Sequence, residues 1–290
     1  MDHSLPNASF HAVTGADCPI KVVDIGANPI DGTPPYATLL RAGWADVVGF
    51  EPDPAALARL NATKGPRETY LPYAVADGGR HLLRFCQAPG MTSLLEPNQA
   101  VLGLFHGFPD WGRVLSTKPI DTVRLDDVEE TRGADLIKLD IQGGELLALR
   151  HAEQRIATAV VVQAEVEFLP LYVDQPLFGD VDGFMRQHGF MFHRFFPAVS
   201  RVVQPLVVAN NIYAGLSQIV WADAVYIRDI TRLEALSELQ LLTMAAILHD
   251  CYGSLDITLH LLGEHDRRRG TGYAAAYLPR LQAAATVRAA

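Results

Sequence analysis

Cysteine is scarce in this chain. The 290 residues include 3 cysteines, Cys18, Cys86 and Cys251, and no two of them form a CxxC pair. The sequence therefore predicts neither a disulfide-stapled scaffold nor a zinc ribbon. No stretch approaches the roughly 18 apolar residues of a membrane span, and the start lacks a basic and apolar leader. We expect a cytoplasmic protein in a reducing compartment, with no membrane span.

Positive charge is also scarce. Lys and Arg number 24 against 33 Asp and Glu, which gives a net charge of -9. Nucleic-acid and anionic-membrane binding need clustered basic side chains, so both classes of partner are disfavoured. Residues 228–290 hold 7 charges of each sign, so the whole acid excess precedes residue 228. This change in charge predicts a boundary there.

Short apolar, β-branched runs alternate with short helical segments along most of the chain. This alternation predicts βαβ units and a mostly parallel sheet with helices on both faces. Strands are predicted at 21–26, 46–50, 70–75, 81–86, 120–125, 135–140, 159–164, 190–195 and 223–228, and helices at 36–42, 54–63, 144–156 and 180–188. We divide the chain into an N-terminal arm (1–19), the sheet domain (20–228) with an insertion or lid (88–119), and a helical C-terminal extension (229–290).

The C-terminal extension shows apolar residues at three- and four-residue spacing from Leu233 to Leu248, followed by predicted helices at 254–264 and 272–284. Such a stripe is expected to pack within the fold, and docking of a partner or a second copy of the chain is the alternative. His249–Asp250 and His265–Asp266 have no third ligand at metal spacing, so we predict solvated or capping roles and no metal.

Acidic residues recur where predicted parallel strands end, which is where such sheets bind ligands. Gly26 closes the first strand, and Glu51 follows 25 residues later at the tip of the second. Glycine permits close backbone approach and the acid can accept both ribose hydroxyls, so an adenosine pocket is predicted. Asp77, after the third strand, would face the adenine amino group. The alternatives are a plain strand-to-helix turn at Gly26 and a plain Asp-Gly turn at Asp77.

The adenosine ligand is predicted to lack phosphates. A dinucleotide loop reads GxGxxG and opens directly into a helix, whereas Pro29 and Asp31 follow Gly26 here. S-adenosylmethionine (SAM) meets this condition. Methyl transfer from SAM needs alignment and removal of one proton from the acceptor. The candidate catalytic residues are the acids and the lysine at the sheet edge: Lys138, Asp140, Glu165 and Glu167. For Glu145, stabilisation of a helix start is the simpler interpretation.

Several segments together resemble the FkbM family of SAM-dependent methyltransferases over about residues 20–195. They are VDIGAN (23–28), GFEPDP (49–54), AVADGG (74–79), GMTSLLEP (90–97), VRLDDV (123–128) and DLIKLDIQGGELLALRHA (135–152). The resemblance implies a class I methyltransferase fold, which is Rossmann-like with a mostly parallel seven-stranded sheet. It implies O-methylation of a hydroxyl on a sugar or other small metabolite, with S-adenosyl-L-homocysteine as product. The residues expected to bind the cofactor are Asp24, Gly26, Ala27, Asn28, Glu51, Pro52, Asp77 and Ser93.

Two features depart from the family pattern. Asp140-Ile141-Gln142-Gly143 stands where the family usually has Asp-x-Glu-Gly, and prolines at 29, 34 and 35 lengthen the first loop. Thr33-Pro34-Pro35-Tyr36 resembles the signature of amino-directed methyltransferases, but it follows the wrong strand and we interpret the match as chance. Two other functions stay open: a nicotinamide-dependent oxidoreductase, and a non-catalytic SAM-fold module that acts through its helical tail. We expect a small-molecule or glycan acceptor and no nucleic acid.

Overall fold

The computed structural model describes residues 8–28 and 32–288, with side chains as far as residue 283. Part of the predicted N-terminal arm, together with Pro29 and Asp31 of the first loop, lies outside these residues. The strands are β1 (Ile20–Ile25), β2 (Ala45–Phe50), β3 (Glu68–Leu71), β4 (Ala74–Val75), β5 (Arg80–Cys86), β6 (Val114–Val123), β7 (Leu136–Leu139), β8 (Val161–Glu167), β9 (Phe190–Arg201) and β10 (Gln218–Arg228). The helices are α1 (Phe10–Thr14), α2 (Ala37–Arg41), α3 (Pro54–Thr63), α4 (Gln99–Leu102), α5 (Phe108–Trp111), α6 (Glu145–Arg150), α7 (Glu153–Thr158), α8 (Phe178–Gln187), α9 (Glu238–Tyr252), α10 (Leu255–Arg269) and α11 (Tyr273–Arg288).

A seven-stranded sheet organises the molecule, in the order β3-β2-β1-β7-β8-β10-β9. The first five strands in this order, β3, β2, β1, β7 and β8, run parallel to their neighbours. Strand β10 runs antiparallel to both β8 and β9. Side chains of α6, α7 and α8 pack on one face of the sheet, and side chains of α1, α2, α9 and α10 pack on the other. The expected mostly parallel seven-stranded sheet with helices on both faces is confirmed.

The predicted strand at 70–75 is two strands that belong to different sheets. β3 ends at Leu71 because Pro72 has no N–H group to continue the ladder. β4 instead joins a three-stranded sheet of order β4-β6-β5. The expected insertion at 88–119 supplies α4, α5 and the first half of β6, so its last residues are strand.

The predicted helix at 144–156 is also divided, into α6 and α7. The carboxylate of Asp126 accepts hydrogen bonds from the backbone amides of Gln154 and Arg155 at 3.0 and 3.1 Å. These amides belong to the first turn of α7, where no intrahelical acceptor exists. A side chain from elsewhere in the sequence therefore caps the start of a second helix.

Helix α9 is buried along most of its length and lies in the largest apolar cluster together with residues of β1, β2 and β8. Of the solvated or capping roles predicted for His249 and Asp250, solvation is wrong because they are 0% and 3% exposed, whereas capping is confirmed for Asp250. His249 contacts Tyr277 and the Ala8 carbonyl, while Asp250 accepts the Phe10 amide at the start of α1. A helix that is apolar on all sides is a core helix, which three- and four-residue spacing alone does not distinguish.

The predicted capping role is also confirmed for the second His-Asp pair, through Asp266. Asp266 accepts hydrogen bonds from the amides of Tyr273 and Ala274 at 2.9 and 2.8 Å, at the start of α11. Within residues 8–28 and 32–288, no helix has the length and hydropathy needed to cross a bilayer.

Candidate active site

The carboxyl ends of β1, β7 and β8 meet at one edge of the sheet. Asp24 of β1 is paired in register with Lys138 of β7, and Lys138 is paired with Gln163 of β8. Asp140 follows β7 directly, and its amide donates to the carbonyl of Ile25 at 3.0 Å. Side chains that are more than 100 residues apart in sequence are therefore neighbours at this edge.

The turn after β1 lies very close to its neighbouring strands. Gly26 has φ of +82°, and a β-carbon there would overlap the carbonyl oxygen of Asp140. The amides of Gly26 and Ala27 both donate to the carbonyl of Phe50 at the end of β2, at 3.1 and 3.0 Å. Asn28 follows Ala27, and both residues line a cavity at this edge of the sheet. Only glycine satisfies both the backbone angle and the close approach.

Glu51 follows β2 and is 6% exposed. Its Oε1 accepts the amide of Asp53 at 2.7 Å, across the intervening Pro52, and no described residue donates to Oε2. Burial raises the pKa of Glu51, and the Asp53 amide opposes that effect. One oxygen of a buried carboxylate thus remains without a donor from residues 8–28 and 32–288, as an acceptor of ligand hydroxyls would require.

Lys138 lies between two acids. Its Nζ is 3.3 Å from Asp24 Oδ1 and 3.9 Å from Asp140 Oδ2. Burial alone would lower the lysine pKa, but the carboxylates of Asp24, Asp140 and Asp223 raise it above its usual value. The ammonium charge therefore persists and offsets part of the acidic charge.

The other acids of the edge are deeply buried. Burial raises the pKa of Glu145 to about 7, and it raises the pKa values of Glu165 and Glu167 well above the usual range. The charge of Asp140 adds to the shift at Glu165. Glu145 Oε1 accepts the amide of Ile141 at 2.8 Å, so Glu145 also fixes the turn after β7.

Sequence reasoning missed four side chains of this site. The hydroxyl of Tyr36 donates to Asp24 at 2.5 Å, which gives a structural role to the residue in the Thr-Pro-Pro-Tyr segment. Asp223 lies on antiparallel β10, where it faces Glu165 in register. Gln163 Nε2 donates to Asp223 at 2.8 Å, and Tyr252 of α9 donates to Gln163 at 2.7 Å. Tertiary pairing brings these residues to the edge, and no local sequence pattern signals it.

A cavity of about 100 Å³ opens among these groups. Its lining comprises Asp24, Gly26, Ala27, Asn28, Gly32, Thr33, Pro34, Pro35, Lys138, Asp140, Gln163 and Asp223. Three carboxylates face one ammonium group in this lining. Within the described part of the chain, no group of three or more His, Cys, Asp or Glu side chains has an arrangement that could hold a metal ion.

Four predicted cofactor residues lie outside the cavity lining: Glu51 and Pro52, which follow β2, and Asp77 and Ser93. Asp77 Oδ1 is 2.8 Å from both the Gly79 amide and His81 Nε2, and contact with His81 lowers the pKa of Asp77 to about 2. These contacts tie Asp77 to the smaller sheet. Ser93 Oγ donates to the carbonyl of Gln142 at 2.6 Å, and this hydrogen bond stabilises the turn after β7. Their predicted binding roles remain predictions.

The sequence of this chain matches a known protein family. A family model described as the methyltransferase FkbM domain matches residues 24–192. The chain belongs to the FkbM methyltransferase family. The match covers the glycine turn, Glu51, the turn after β7 and both glutamates of β8. No curated protein gives a significant sequence match.

Solved structures of other methyltransferases are similar to this chain at low sequence identity. A Thermoplasma acidophilum protein assigned to the methyltransferases is 8% identical, with 73% of this chain and 68% of that chain covered and a TM-score of 0.36. The TYW2 protein of M. jannaschii, solved in complex with AdoMet, is 12% identical, with 76% of this chain and 74% of that chain covered and a TM-score of 0.33. A 16S rRNA (adenine(1408)-N(1))-methyltransferase from Catenulisporales acidiphilia is 11% identical, with 74% of this chain and 90% of that chain covered and a TM-score of 0.35.

Proposed function

We propose that this FkbM-family methyltransferase uses SAM to methylate a hydroxyl group on a sugar or another small metabolite. The observation that carries the proposal is the arrangement of Gly26 and Glu51 at adjacent strand ends. Gly26 lines the cavity, and Glu51 follows the neighbouring strand with Oε1 bound to the Asp53 amide and no described donor on Oε2. Ribose hydroxyls are donors that fit such an acceptor.

The residues present fit an adenosine ligand without phosphates. Phosphate groups are bound by free amides at a helix start or by cationic side chains. The amides of Gly26 and Ala27 are instead occupied by the Phe50 carbonyl. The cavity lining adds Asp24, Asp140 and Asp223. Such a wall disfavours a pyrophosphate and favours the positively charged sulfonium of SAM.

When bound, SAM supplies an activated methyl group, and the protein has to align the acceptor and take up one proton. Asp140 fits the second task because its side chain is 23% exposed at the cavity wall. Lys138 lies beside the same carboxylate, with Nζ 3.9 Å from Asp140 Oδ2. Proton removal by a positioned side chain contributes roughly 10²–10⁴-fold to rates of this kind. Glu165 and Glu167 are more deeply buried and lie outside the cavity lining.

The charge of the cavity also supports a small acceptor. Nucleic-acid substrates need a basic surface that neutralises phosphates, which conflicts with three carboxylates in the lining and a net charge of -9. A neutral polyol such as a sugar brings hydroxyl donors that carboxylates accept well. The acidic wall therefore favours a hydroxyl-bearing small molecule over RNA.

Calorimetry with SAM, S-adenosylhomocysteine and NAD tests the cofactor. We expect binding of the first two, and binding of NAD without SAM would overturn the proposal. Incubation with methyl-labelled SAM and either glycan and metabolite extracts or total RNA tests the acceptor. Label in a small hydroxyl compound, located by mass spectrometry and NMR, is expected. Label confined to RNA would overturn the acceptor class, and SAM binding without any transfer would indicate a non-catalytic module.

A further inference from the structure

Gln142 connects the turn after β7 to three other parts of the site. Its Nε2 donates to Asp140 Oδ1 at 3.0 Å and to Glu165 Oε2 at 2.6 Å. Its Oε1 accepts the hydroxyl of Tyr172 at 3.1 Å. The backbone carbonyl of Gln142 accepts the Ser93 hydroxyl at 2.6 Å. The side-chain amide therefore has one orientation, with nitrogen toward the two acids and oxygen toward Tyr172.

The backbone at Gln142 is held in an uncommon conformation. Its φ is 56°, in the left-handed region that residues other than glycine, asparagine and aspartate seldom adopt. The next residue, Gly143, has φ of 92°, and a β-carbon there would lie 3.0 Å from side-chain atoms of Gln175 and Leu95. Strain of this kind persists where the surroundings determine it, and it clusters at functional sites.

The chemistry of the surroundings favours an uncharged donor at position 142. Glu145, Glu165 and Glu167 are buried nearby, and burial raises the pKa of each. A carboxylate at 142 would have no hydrogen to donate to Asp140 or Glu165, and it would add a further negative charge between them. An amide supplies two N–H donors and no charge. Glutamine therefore suits this cluster.

We infer that Gln142 is a positioning residue for methyl transfer: its amide links Asp140 to Glu165 and holds the Asp140 carboxylate at the cavity wall. The inference rests on the proposed function, in which Asp140 takes the acceptor's proton. Gln142 holds Oδ1, and Lys138 lies 3.9 Å from Oδ2, so the carboxylate is fixed from two sides. Fixed orientation of a reacting group accounts for a large part of enzymatic rate enhancement.

The first test needs neither cofactor nor acceptor. Thermal unfolding of Gln142→Glu is compared with that of the parent protein from pH 5 to pH 8. The matched control is Gln154→Glu, which introduces the same charge at an exposed position of α7. The introduced acid at 142 ionises at lower pH in the unfolded chain than in the folded site. The stability deficit of Gln142→Glu relative to the parent protein therefore grows as the pH rises. We expect the melting temperature deficit to increase by about 4 °C or more over this range, while the control stays constant. A deficit that does not change with pH would overturn the inference.

The second test separates positioning from folding. Gln142→Asn retains a residue type that tolerates positive φ, but its side chain is one methylene shorter. With the acceptor from the extract screen, we expect kcat to fall roughly 10-fold or more, and SAM affinity to stay within about threefold. A crystal structure should show the Asp140 side chain turned away from its present position. Parental kcat in a folded Gln142→Asn variant would overturn the inference. Failure of the parent protein to bind SAM would overturn the proposed function, whereas the pH series would still decide whether the amide bridge exists.

Discussion

The α-carbon of Gly26 packs against the carbonyl oxygen of Asp140 so closely that a β-carbon at position 26 would overlap that oxygen. The contact joins the turn after β1 to the turn after β7, and each turn carries part of the candidate site. The Asp140 amide in turn donates to the carbonyl of Ile25 at 3.0 Å. A displacement of either turn therefore displaces the other, and the two parts of the candidate site keep a fixed spacing.

Gly26→Ala should destabilise the protein more than a change of backbone preference explains. Gly133→Ala is the matched control, since Gly133 has φ of +71° and no described atom lies within 4 Å of the position that a β-carbon would occupy there. Both variants bear a left-handed penalty of about 1–2 kcal/mol, and only Gly26→Ala adds overlap with backbone, at about 1–3 kcal/mol. Urea unfolding measures the difference. Equal losses in the two variants would refute the close contact.

Glu51→Ala should weaken SAM binding by about 1–3 kcal/mol, because buried ribose hydroxyls would lose their acceptor. Calorimetry measures the change, and Glu129→Ala, at an exposed position of the chain, is the control. Glu51→Gln keeps one acceptor oxygen and should lie between the parent protein and Glu51→Ala. Unchanged affinity in Glu51→Ala, with an unchanged melting temperature, would show that Glu51 does not bind the cofactor.

Lys138→Met should lower the free energy of unfolding by about 3–5 kcal/mol, because it leaves buried acids without their countercharge. Combining it with Asp24→Asn should restore part of this loss, with a coupling of at least about 1 kcal/mol in a double-mutant cycle. Lys118→Met, at an exposed position of β6, controls for loss of a lysine. Strictly additive losses would contradict the ion pair seen at 3.3 Å between Lys138 and Asp24.

Asp250→Asn should gain stability relative to the parent protein as the pH rises. Burial raises the pKa of Asp250 to about 7, and the Phe10 amide opposes this effect. An acid whose folded pKa is raised loses stabilising free energy between its unfolded pKa near 4 and its folded pKa, whereas an amide does not. We expect a relative gain on the order of 2 kcal/mol between pH 4.5 and pH 7.5, measured by urea unfolding. The exposed Asp121→Asn is the control, and a flat difference for Asp250→Asn would contradict the burial of an ionisable carboxyl.

Residues that end parallel strands were predictable from sequence. Asp24, Asp140 and Glu165 follow apolar runs, and parallel strands bring their carboxyl ends to one edge whatever the intervening chain does. Residues that depend on distant pairing were not predictable. Asp223 reaches the edge because β10 runs in the opposite direction, and Gln142 reaches two acids because its turn is left-handed.

Burial in the C-terminal helices was also beyond local sequence patterns. The spacing of apolar residues in α9 predicts one buried stripe, but twelve consecutive residues from 241 to 252 are buried. Sheet residues pack against α9 in the same apolar cluster that contains residues of α1 and α10. His249 and Asp250 are polar in sequence and buried in the structure because neighbouring segments supply their hydrogen-bond partners.

The same packing constrains the order in which the protein can fold during translation. A ribosome delivers β1 early and α9 late, yet Val22 of β1 and Met244 of α9 belong to one apolar cluster. Until α9 and α10 have left the exit tunnel, one face of the nascent sheet is covered only by α1 and α2, and the rest of its apolar surface is open to chaperones and to aggregation. The core on this face is therefore completed only after α9 and α10 have been synthesised, although the candidate catalytic residues are all synthesised by residue 167.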